Sequence, residues 1–342
     1  MTVRRVAIIA LRDPGGETGG AERLCEGLAS AFRGAGFETD LIEVLGDELT
    51  FEGIQETYLR CYDLGVSSYD AVISTKAPTY LVRHPNHVCY LVHTMRVFYD
   101  LWKTELPHPT EEQLGQRSLI HQLDTKALQH PRTRKVFSIG NEVSKRLLRW
   151  NALDSEVLHP PLGLDGFRTD GYGDYLLLPG RLHRWKRVDL AIRSMDYVRH
   201  PVRLVITGTG EQEAALRSLA AGSDRVEFRG RVSDRDLIDL YAGALGVLFV
   251  PLQEDYGYVT VEAFRSAKAV ITCRDSGEPA VFVRNAVNGF VCNPGPRDIA
   301  DAIRRLCEDR QAARRLGEQG RADTLELQWP RVVDKLATAL GA

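Results

Sequence analysis

Glu254 and Glu262 stand eight residues apart in the segment PLQEDYGYVTVEAFRSAKAVITC, and this segment predicts an anion site. Gly257 and Tyr258 lie between them, where the chain is expected to turn sharply and begin a helix whose N–H groups point to one spot. Glu262 would lie one turn inside that helix, on the face of Tyr258 and Val259. This arrangement suits a nucleotide-sugar, because carboxylates accept hydrogen bonds from hydroxyls and backbone N–H groups bind the diphosphate. The ordinary alternative is a solvated loop glutamate and a first-turn glutamate favoured by the helix dipole.

A group of basic residues follows the apolar run LLLPG in LLLPGRLHRWKRVDLAIRSM. Arg181 comes just after a predicted strand and Lys186 just before a predicted helix, so both could reach a diphosphate. Basic residues also stand at 184 and 187. Because exposed basic side chains are ordinarily solvated, the sequence alone does not separate the four.

A glycine-rich segment, DPGGETGGAERLCEGLASAFRGAG, follows the first predicted strand. Gly19 and Gly20 would let the backbone approach a ligand closely at the start of a helix. The segment matches neither the G-x-G-x-x-G fingerprint nor a Walker loop, since Ala-Glu follows Gly20. A plain strand-to-helix turn explains it equally well.

Length and composition limit the classes of protein. The 342 residues, 44% hydrophobic and 26% charged, favour two well-packed domains. A net charge of −2 gives no reason to expect nucleic acid or an acidic membrane as the main partner. Six cysteines without a C-x-x-C pair indicate reduced thiols and a cytoplasmic protein, and no apolar run approaches the ~20 residues of a transmembrane helix.

No metal site is expected from the sequence. His84 and His87 flank a Pro-Asn turn without the further ligands that a metal needs. Asp234-Arg235-Asp236 resembles a D-x-D metal motif, but Ser233 before it favours a helix N-cap followed by a first turn rich in acidic residues.

Apolar β-branched runs alternate with helical patterns along the whole chain, which predicts an α/β protein with parallel sheets. The irregular segment PPLGLDGFRTDGYGD between Pro160 and Asp174 is the predicted linker. About six strands on each side of it allow two Rossmann-like, doubly wound sheets that bind ligands at the carboxyl ends of their strands, in a cleft between the two domains. The predicted domains are 1–165 on the acceptor side, 166–326 on the nucleotide-sugar side, and a C-terminal helix, 327–342, that packs back toward the first.

Several segments together, in one order, resemble the retaining glycosyltransferases of family 4, which have the GT-B fold. They are GGAERL, HTM at 93–95, SIGNEVSKRL, VLHPPLGLDGF, PGRLHRWKRVDLAI, ITGTGEQEAAL and FRGRVSDRDLIDLYAGALGVLFVPLQEDYGYVTVEA, followed by a Trp-Pro near the end. The resemblance runs from the first strand to the last helix, and E-x7-E is its most specific element. The Ala- and Arg-rich chain also resembles actinomycete glycosyltransferases of antibiotic pathways, of the avilamycin type.

The resemblance implies transfer of a sugar from a nucleotide-diphosphate sugar to an acceptor hydroxyl, with retention of the anomeric configuration. The expected acceptor is a small molecule or a glycolipid, and because the sequence shows no metal cluster, no metal or other cofactor is expected. The resemblance also implies front-face displacement with no covalent intermediate. It assigns the diphosphate to Arg181 and Lys186, the sugar hydroxyls to Glu254 and the ribose to Glu262. The other residues it implies are His93 near the reacting carbon, Gly19 and Gly20 near the sugar, Gly208 in the donor site, the Arg231–Val232 segment near the base, and Gly257, Tyr258 and Val259 at the phosphates.

The chain departs from the family pattern in two places. Ala267-Lys268-Ala269 replaces the Gly-x-Pro common after the glutamate helix, and Ser276-Gly277-Glu278-Pro279 replaces SGGP, so donor-sugar contacts near residue 278 are uncertain. Two other functions stay open. Gly208-Thr209-Gly210 allows an NAD(P)-dependent oxidoreductase, although Glu213 stands where the third fingerprint glycine belongs. The second open alternative is a catalytically inactive, sugar-binding protein with the GT-B fold.

Overall fold

The structure, a computed structural model, describes residues 3–12, 19–47 and 50–342. The chain forms two compact units: Met1–Gly163 with Leu327–Ala342, and Leu164–Glu326. We call them the first and second unit. Residues 160–174 contain no helix or strand.

The first unit contains a parallel sheet of six described strands in the order β2-β1-β3-β4-β5-β6. The strands are β1 (Arg5–Arg12), β2 (Glu38–Leu45), β3 (Ala71–Ser74), β4 (His87–Leu91), β5 (Thr133–Ser138) and β6 (Glu156–Val157). β1, β3 and β4 are almost fully buried and nearly continuously hydrophobic, as strands covered on both faces are. β2, at one edge of the sheet, contains exposed polar residues as well.

The second unit contains another parallel sheet of six strands within the described chain, in the order β12-β11-β10-β7-β8-β9. The strands are β7 (Tyr175–Pro179), β8 (Arg203–Thr207), β9 (Val226–Gly230), β10 (Gly246–Leu248), β11 (Ala269–Cys273) and β12 (Gly289–Cys292). With β7 counted as strand 1, this is the doubly wound order 3-2-1-4-5-6. The strands are parallel, but the order in which the chain adds them to the sheet reverses between β7 and β10. Ligands of such sheets bind beside the carboxyl ends of the two strands at that point.

Helices connect these strands. In the first unit they are α1 (Gly20–Gly34), α2 (Phe51–Tyr62), α3 (Trp102–Glu105), α4 (Glu111–Leu128), α5 (Asn141–Asn151) and α13 (Trp329–Leu340). In the second unit they are α6 (Val188–Ser194), α7 (Glu213–Leu219), α8 (Asp234–Gly243), α9 (Tyr258–Arg265), α10 (Pro279–Phe282), α11 (Pro296–Glu308) and α12 (Arg310–Asp323). Short 3-10 helices occur at Thr79–Leu81, Arg96–Phe98, Arg184–Lys186 and Met195–Tyr197.

The sheet of the second unit has a hydrophobic core on each face. Leu176 and Leu177, neighbours in β7, are both fully buried but belong to different apolar clusters. Successive strand side chains point to opposite faces, so the sheet is covered on both. Packing on both faces holds the strands in place, and the loops of the candidate site extend from the ends of these strands.

Trp329-Pro330 begins α13 rather than ending the preceding helix. Helix α12 already ends at Asp323, and Pro330 lies in the first turn of α13. Proline is tolerated there because first-turn N–H groups have no partner within the helix. The Trp329 ring packs on α1 at Gly27, where a Cβ atom would lie 2.4 Å from the indole.

Candidate functional site

The donor-side residues predicted in the second unit all follow the carboxyl ends of neighbouring strands. Two of these residues follow β9, one follows β8, two follow β7, and the rest follow β10. In that order they are Arg231 and Val232; Gly208; Arg181 and Lys186; and Glu254, Gly257, Tyr258, Val259 and Glu262. Parallel strands place their carboxyl ends on one edge, so the fold brings residues from position 181 to position 262 to the same edge of the sheet.

Lys186 and Glu254, 68 positions apart, form a direct ion pair. The Lys186 Nζ donates to Glu254 Oε2 over 2.7 Å, and the side chains are 22% and 21% exposed. The ammonium also lies 5.6 Å from the centre of the Phe249 ring. The pair joins the loop after β7 to the loop after β10, at the point where the strand order reverses. A charge-assisted bond of this kind holds both groups in place at the predicted ligand position.

Arg187 fastens the loops that carry this pair. Its guanidinium donates to the carbonyl oxygens of Val250 and Pro251 and, through two nitrogens, to the carboxylate of Asp275, each over 2.7 Å. A planar guanidinium satisfies such a set of acceptors at once, which an ammonium cannot do. Sequence reasoning missed Arg187 and Asp275, because adjacent basic residues cannot be ranked without their partners.

The segment after β11 supports the backbone of Glu254. The Glu254 N–H donates to Ser276 O over 3.0 Å, and the Glu278 N–H donates to Glu254 O over 2.9 Å. Gly277 has φ +74°, and a Cβ there would lie 2.4 Å from Glu254 O. The glycine at 277 is therefore required by close backbone contact, whereas Glu278, at the point of departure from SGGP, is fully buried.

Gly257 makes the entry to α9 possible. It is the N-cap residue, with φ +76°, and a Cβ there would lie 2.9 Å from the Phe249 ring and 2.8 Å from Pro279. Only glycine fits this left-handed, crowded position. The first turn of α9 carries no acidic side chain, so the partial positive charge of the helix start is not offset by an acidic residue of that turn.

Glu262 has a different kind of partner from Glu254. The hydroxyl of Tyr241, on α8, donates to Glu262 Oε2 over 2.7 Å. Burial, followed by the nearby Glu262 charge, raises the pKa of Tyr241 well above its ordinary value, so the phenol stays protonated and remains a donor. Tyr241 is a further residue that the sequence did not reveal.

Arg181 and Arg231 are exposed side chains at the same edge of the sheet. Within the described residues neither guanidinium has a hydrogen bond or an ion pair. Arg184, also exposed, lies 5.7 Å from the Trp185 ring centre. The structure thus separates the four basic residues of this loop. Lys186 pairs with Glu254, Arg187 joins the loops, and Arg181 and Arg184 are exposed.

Gly208 and Gly210 bring the loop after β8 against the loop after β7. Gly208 has φ +102°, and a Cβ there would lie 2.0 Å from Gly180 O; a Cβ at Gly210 would lie 2.6 Å from Leu182 O. Close protein backbone therefore accounts for the Gly-Thr-Gly sequence without a dinucleotide.

In the first unit, Gly19 and Gly20 lie at the start of α1. Gly19 is the N-cap residue, and its N–H donates to Glu22 Oε2 over 2.8 Å. Both glycines are exposed. The rest of the predicted glycine loop, residues 13–18, lies outside the described residues.

His93 lies two residues beyond the end of β4 and is half-buried. Its Nδ1 is 3.0 Å from Thr94 O, and its own carbonyl accepts from the Ala77 N–H over 3.2 Å. The side chain of Thr94 accepts from Arg146, whose guanidinium is paired with Asp100 at 2.7 Å. A buried ion pair therefore supports the segment that carries His93.

The predicted N-cap at Ser233 is confirmed, and other side chains that could have been site residues are part of the packed interior. Ser233 caps α8, accepting from the Asp236 N–H over 3.1 Å. His87 is buried between Ser74 and Thr133, and burial lowers its pKa to about 3. The aromatic side chains Phe98, Tyr99 and Trp102 belong to the core.

The described residues, 3–12, 19–47 and 50–342, lack two kinds of feature. They contain no group of three or more His, Cys, Asp or Glu side chains that could hold a metal. No helix among them is both long and apolar enough to cross a bilayer.

Comparison with known proteins gives a family match in the second unit. Residues 168–323 match the family described as "Glycosyl transferases group 1". The human alpha-1,3/1,6-mannosyltransferase ALG2 is 26% identical over 204 residues, 51% of this chain and 49% of that protein. The D-inositol 3-phosphate glycosyltransferase of Streptomyces bingchenggensis is 26% identical over 287 residues, 73% of this chain and 60% of that protein. The match thus spans about half the length of the first relative.

Solved structures match both units. Anabaena Alr3699/HepE, determined with UDP and glucose, superposes with a TM-score of 0.72 at 16% identity, covering 98% of this chain and 99% of that one. At this identity the likeness concerns the fold. The prediction of two Rossmann-like domains of the GT-B class is confirmed.

Proposed function

We propose that this protein transfers a sugar from a nucleotide-diphosphate sugar to an acceptor hydroxyl with retention of configuration, because residues 168–323 match the group 1 glycosyltransferase family. The curated relatives support glycosyl transfer, since ALG2 and the inositol phosphate enzyme are both named as transferases. The donor, acceptor and stereochemistry are parts of this proposal.

One observation carries it: the Lys186–Glu254 pair lies where β7 and β10 end, beside the helix start at Gly257. A cation, a carboxylate and a helix N-terminus together match the groups of a sugar diphosphate. The cation and the helix start favour the phosphates, and the carboxylate accepts from sugar hydroxyls. A structural salt bridge alone would not require a left-handed glycine that opens a helix at the same edge.

The proposed roles follow from these positions. Lys186 and the exposed Arg181 neutralise the diphosphate, with the backbone near Tyr258 and Val259 completing its site. Glu254 binds sugar hydroxyls and Glu262 the ribose hydroxyls. Gly208 and the Arg231–Val232 segment, which follow β8 and β9, would line the nucleoside end. His93, Gly19 and Gly20 on the first unit would serve the sugar and acceptor, as the family resemblance implies.

The proposed chemistry is a front-face displacement. The acceptor oxygen forms a bond to the anomeric carbon as the bond from that carbon to the phosphate oxygen breaks, and the acceptor proton passes to the departing phosphate. Negative charge grows on the leaving diphosphate, and cations fixed in advance are most effective there. No carboxylate nucleophile is assigned, because Glu254 Oε2 is held by Lys186.

The nucleotide is proposed to be UDP or GDP in preference to TDP. Anabaena HepE, of similar fold, is described with UDP and with UDP-glucose. We also propose a role in oligosaccharide, glycoconjugate or antibiotic biosynthesis, which is supported by the resemblance of the sequence to actinomycete enzymes.

The test combines binding with turnover. A thermal-shift screen of UDP-, GDP- and TDP-sugars should find a donor that raises the melting temperature, because ligands of the native state stabilise it. Incubation with that donor and glycan or polyol acceptors should release nucleoside diphosphate, and NMR of the product should show the anomeric configuration of the donor. An inverted product would contradict retention.

The same assays test the other functions. Binding without release of diphosphate across the acceptors would favour the inactive sugar-binding protein. Stabilisation by NAD(P) and by no nucleotide-sugar would favour the oxidoreductase.

A further inference from the structure

We infer that Tyr241 is a positioning residue for nucleoside recognition: its hydroxyl holds the Glu262 carboxylate in the orientation that accepts the two ribose hydroxyls. The inference rests on the proposed function, in which Glu262 binds the ribose. It adds a residue on a different helix and predicts how the site distinguishes ribonucleotides from 2′-deoxyribonucleotides.

Tyr241 is fixed in place by its surroundings. It is fully buried in the core face formed with Phe249 and Phe264, and the Phe167 ring meets it edge-on, with centroids 5.6 Å apart. Its hydroxyl reaches from α8 to α9 and bonds Glu262 Oε2 over 2.7 Å. A rigid donor on a packed helix therefore determines the direction of a side chain that is itself only half-buried.

This bond reduces the rotamer freedom of Glu262. A glutamate has three side-chain torsions, and ordering them opposes any ligand that needs one orientation. When the protein has already fixed the carboxylate, the ligand does not bear that entropic cost. The Tyr241 bond thus prepares Glu262 for a diol before the nucleotide arrives.

The neutrality of the donor matters as well. Burial keeps the pKa of Tyr241 well above its ordinary value, so the phenol donates without adding positive charge. A carboxylate offers about four acceptor positions, so the bond from one hydroxyl leaves positions for further donors.

The experiment replaces Tyr241 by Phe, which keeps the ring and removes only the hydroxyl. Calorimetry would measure the dissociation constants of UDP and 2′-deoxy-UDP for wild type and Tyr241→Phe. We expect wild type to prefer UDP by about tenfold, the value of one well-placed hydrogen bond to a charged group. In Tyr241→Phe the UDP affinity should fall by roughly threefold to tenfold with little change for 2′-deoxy-UDP, so the preference narrows.

Tyr175→Phe is the matched control. The Tyr175 hydroxyl donates to the carbonyl of Leu240, next to Tyr241 on α8, over 2.7 Å. Its loss disturbs the same helix without touching Glu262, so it should leave the UDP to 2′-deoxy-UDP ratio unchanged. A second check is Glu262→Ala, alone and with Tyr241→Phe. If the tyrosine acts through the glutamate, adding Tyr241→Phe to Glu262→Ala should not change the ratio further.

The outcomes separate the two proposals. A ratio that narrows in Glu262→Ala but not in Tyr241→Phe would overturn the role of Tyr241 and leave the proposed function intact. An equal narrowing in Tyr175→Phe would show general loosening of α8 and also overturn it. Wild-type protein that binds neither nucleotide would contradict the proposed function itself.

Discussion

Glu254 and Glu262 are held in opposite ways at the same edge of the second sheet. Glu254 lies in a loop and is paired with the charged Lys186, whereas Glu262 lies on α9 and accepts from the neutral, buried Tyr241. Both bonds are 2.7 Å long. The first bond joins a carboxylate to a cation, and the second joins a carboxylate to a neutral hydroxyl.

This difference suits two ends of one ligand. A sugar diphosphate offers negative charge beside hydroxyls at its reacting end, where a cation and a carboxylate are both needed. A ribose offers only neutral hydroxyls, for which a carboxylate that keeps its charge is the stronger acceptor. Replacing Glu254 or its partner should therefore have a different effect on turnover and on nucleotide binding from replacing Glu262 or its partner.

The largest effect is expected from the cation at the reacting end. Lys186→Ala removes the positive charge that is proposed to neutralise the leaving diphosphate. It also leaves Glu254 without its cationic partner. Loss of one such group should lower kcat by about 10²–10³. Arg181→Ala should also lower it severely. Steady-state kinetics with the donor found by thermal shift would measure both changes.

Arg184→Ala is the control on the same loop, because Arg184 is exposed and lies beside Trp185. Its activity should stay within about twofold of wild type, as is usual for exposed charges. Near wild-type activity in both Lys186→Ala and Arg181→Ala would show that the diphosphate lies elsewhere.

The two glutamates can be separated by exchanging each for glutamine. Glu254→Gln should lower turnover by about 10². It should leave UDP binding unchanged or slightly tighter, since UDP lacks the transferred sugar that Glu254 is proposed to bind and Lys186 is freed from its carboxylate partner. Glu262→Gln should instead weaken the binding of UDP. Parallel calorimetry and kinetics on both variants would measure this crossed pattern. If both variants changed turnover and UDP binding in the same way, the proposed assignment of Glu254 to the sugar and of Glu262 to the ribose would be wrong.

A smaller effect concerns the nucleotide. TDP lacks the 2′-hydroxyl, so Glu262 would lose one hydrogen-bonding partner and be left poorly satisfied. UDP or GDP should bind more tightly than TDP by about 1–3 kcal/mol, roughly fivefold to 150-fold. Calorimetry on the three diphosphates would measure it, and the preference should shrink in Glu262→Ala. Equal or tighter binding of TDP by wild type would mean that Glu262 is an ordinary helix glutamate.

The fold was largely predictable because its signals are local. Each described strand coincides with an apolar run, and Ser233 and the glycine at 257 mark helix starts that the structure contains. Pro330 shows where a local signal is ambiguous, because a proline can either end a helix or lie in the first turn of one, as Pro330 does in α13.

The partners within the site were not predictable. The Lys186–Glu254 bond joins residues 68 positions apart, and Tyr241 looks like any apolar residue of α8 until the packing of α9 brings Glu262 to it. Arg187 and Asp275 are likewise 88 positions apart. Such pairings arise from tertiary packing, which no local pattern encodes.

The smallest effect, and the last prediction, concerns metal chelators: EDTA should leave activity within about twofold of the untreated enzyme. Lys186 and Arg181 supply the positive charge that a metal would otherwise bring to the leaving diphosphate. Asp236, half of the apparent D-x-D motif, already accepts from the Ser233 hydroxyl over 2.7 Å within the cap of α8. Asp236→Asn should therefore keep activity while lowering stability by about 0.5–1 kcal/mol, as weakened caps do. The contradicting result is loss of activity in EDTA, its restoration by added Mg²⁺ or Mn²⁺, and an inactive Asp236→Asn. That result would show that a metal, and not Lys186 and Arg181, neutralises the diphosphate.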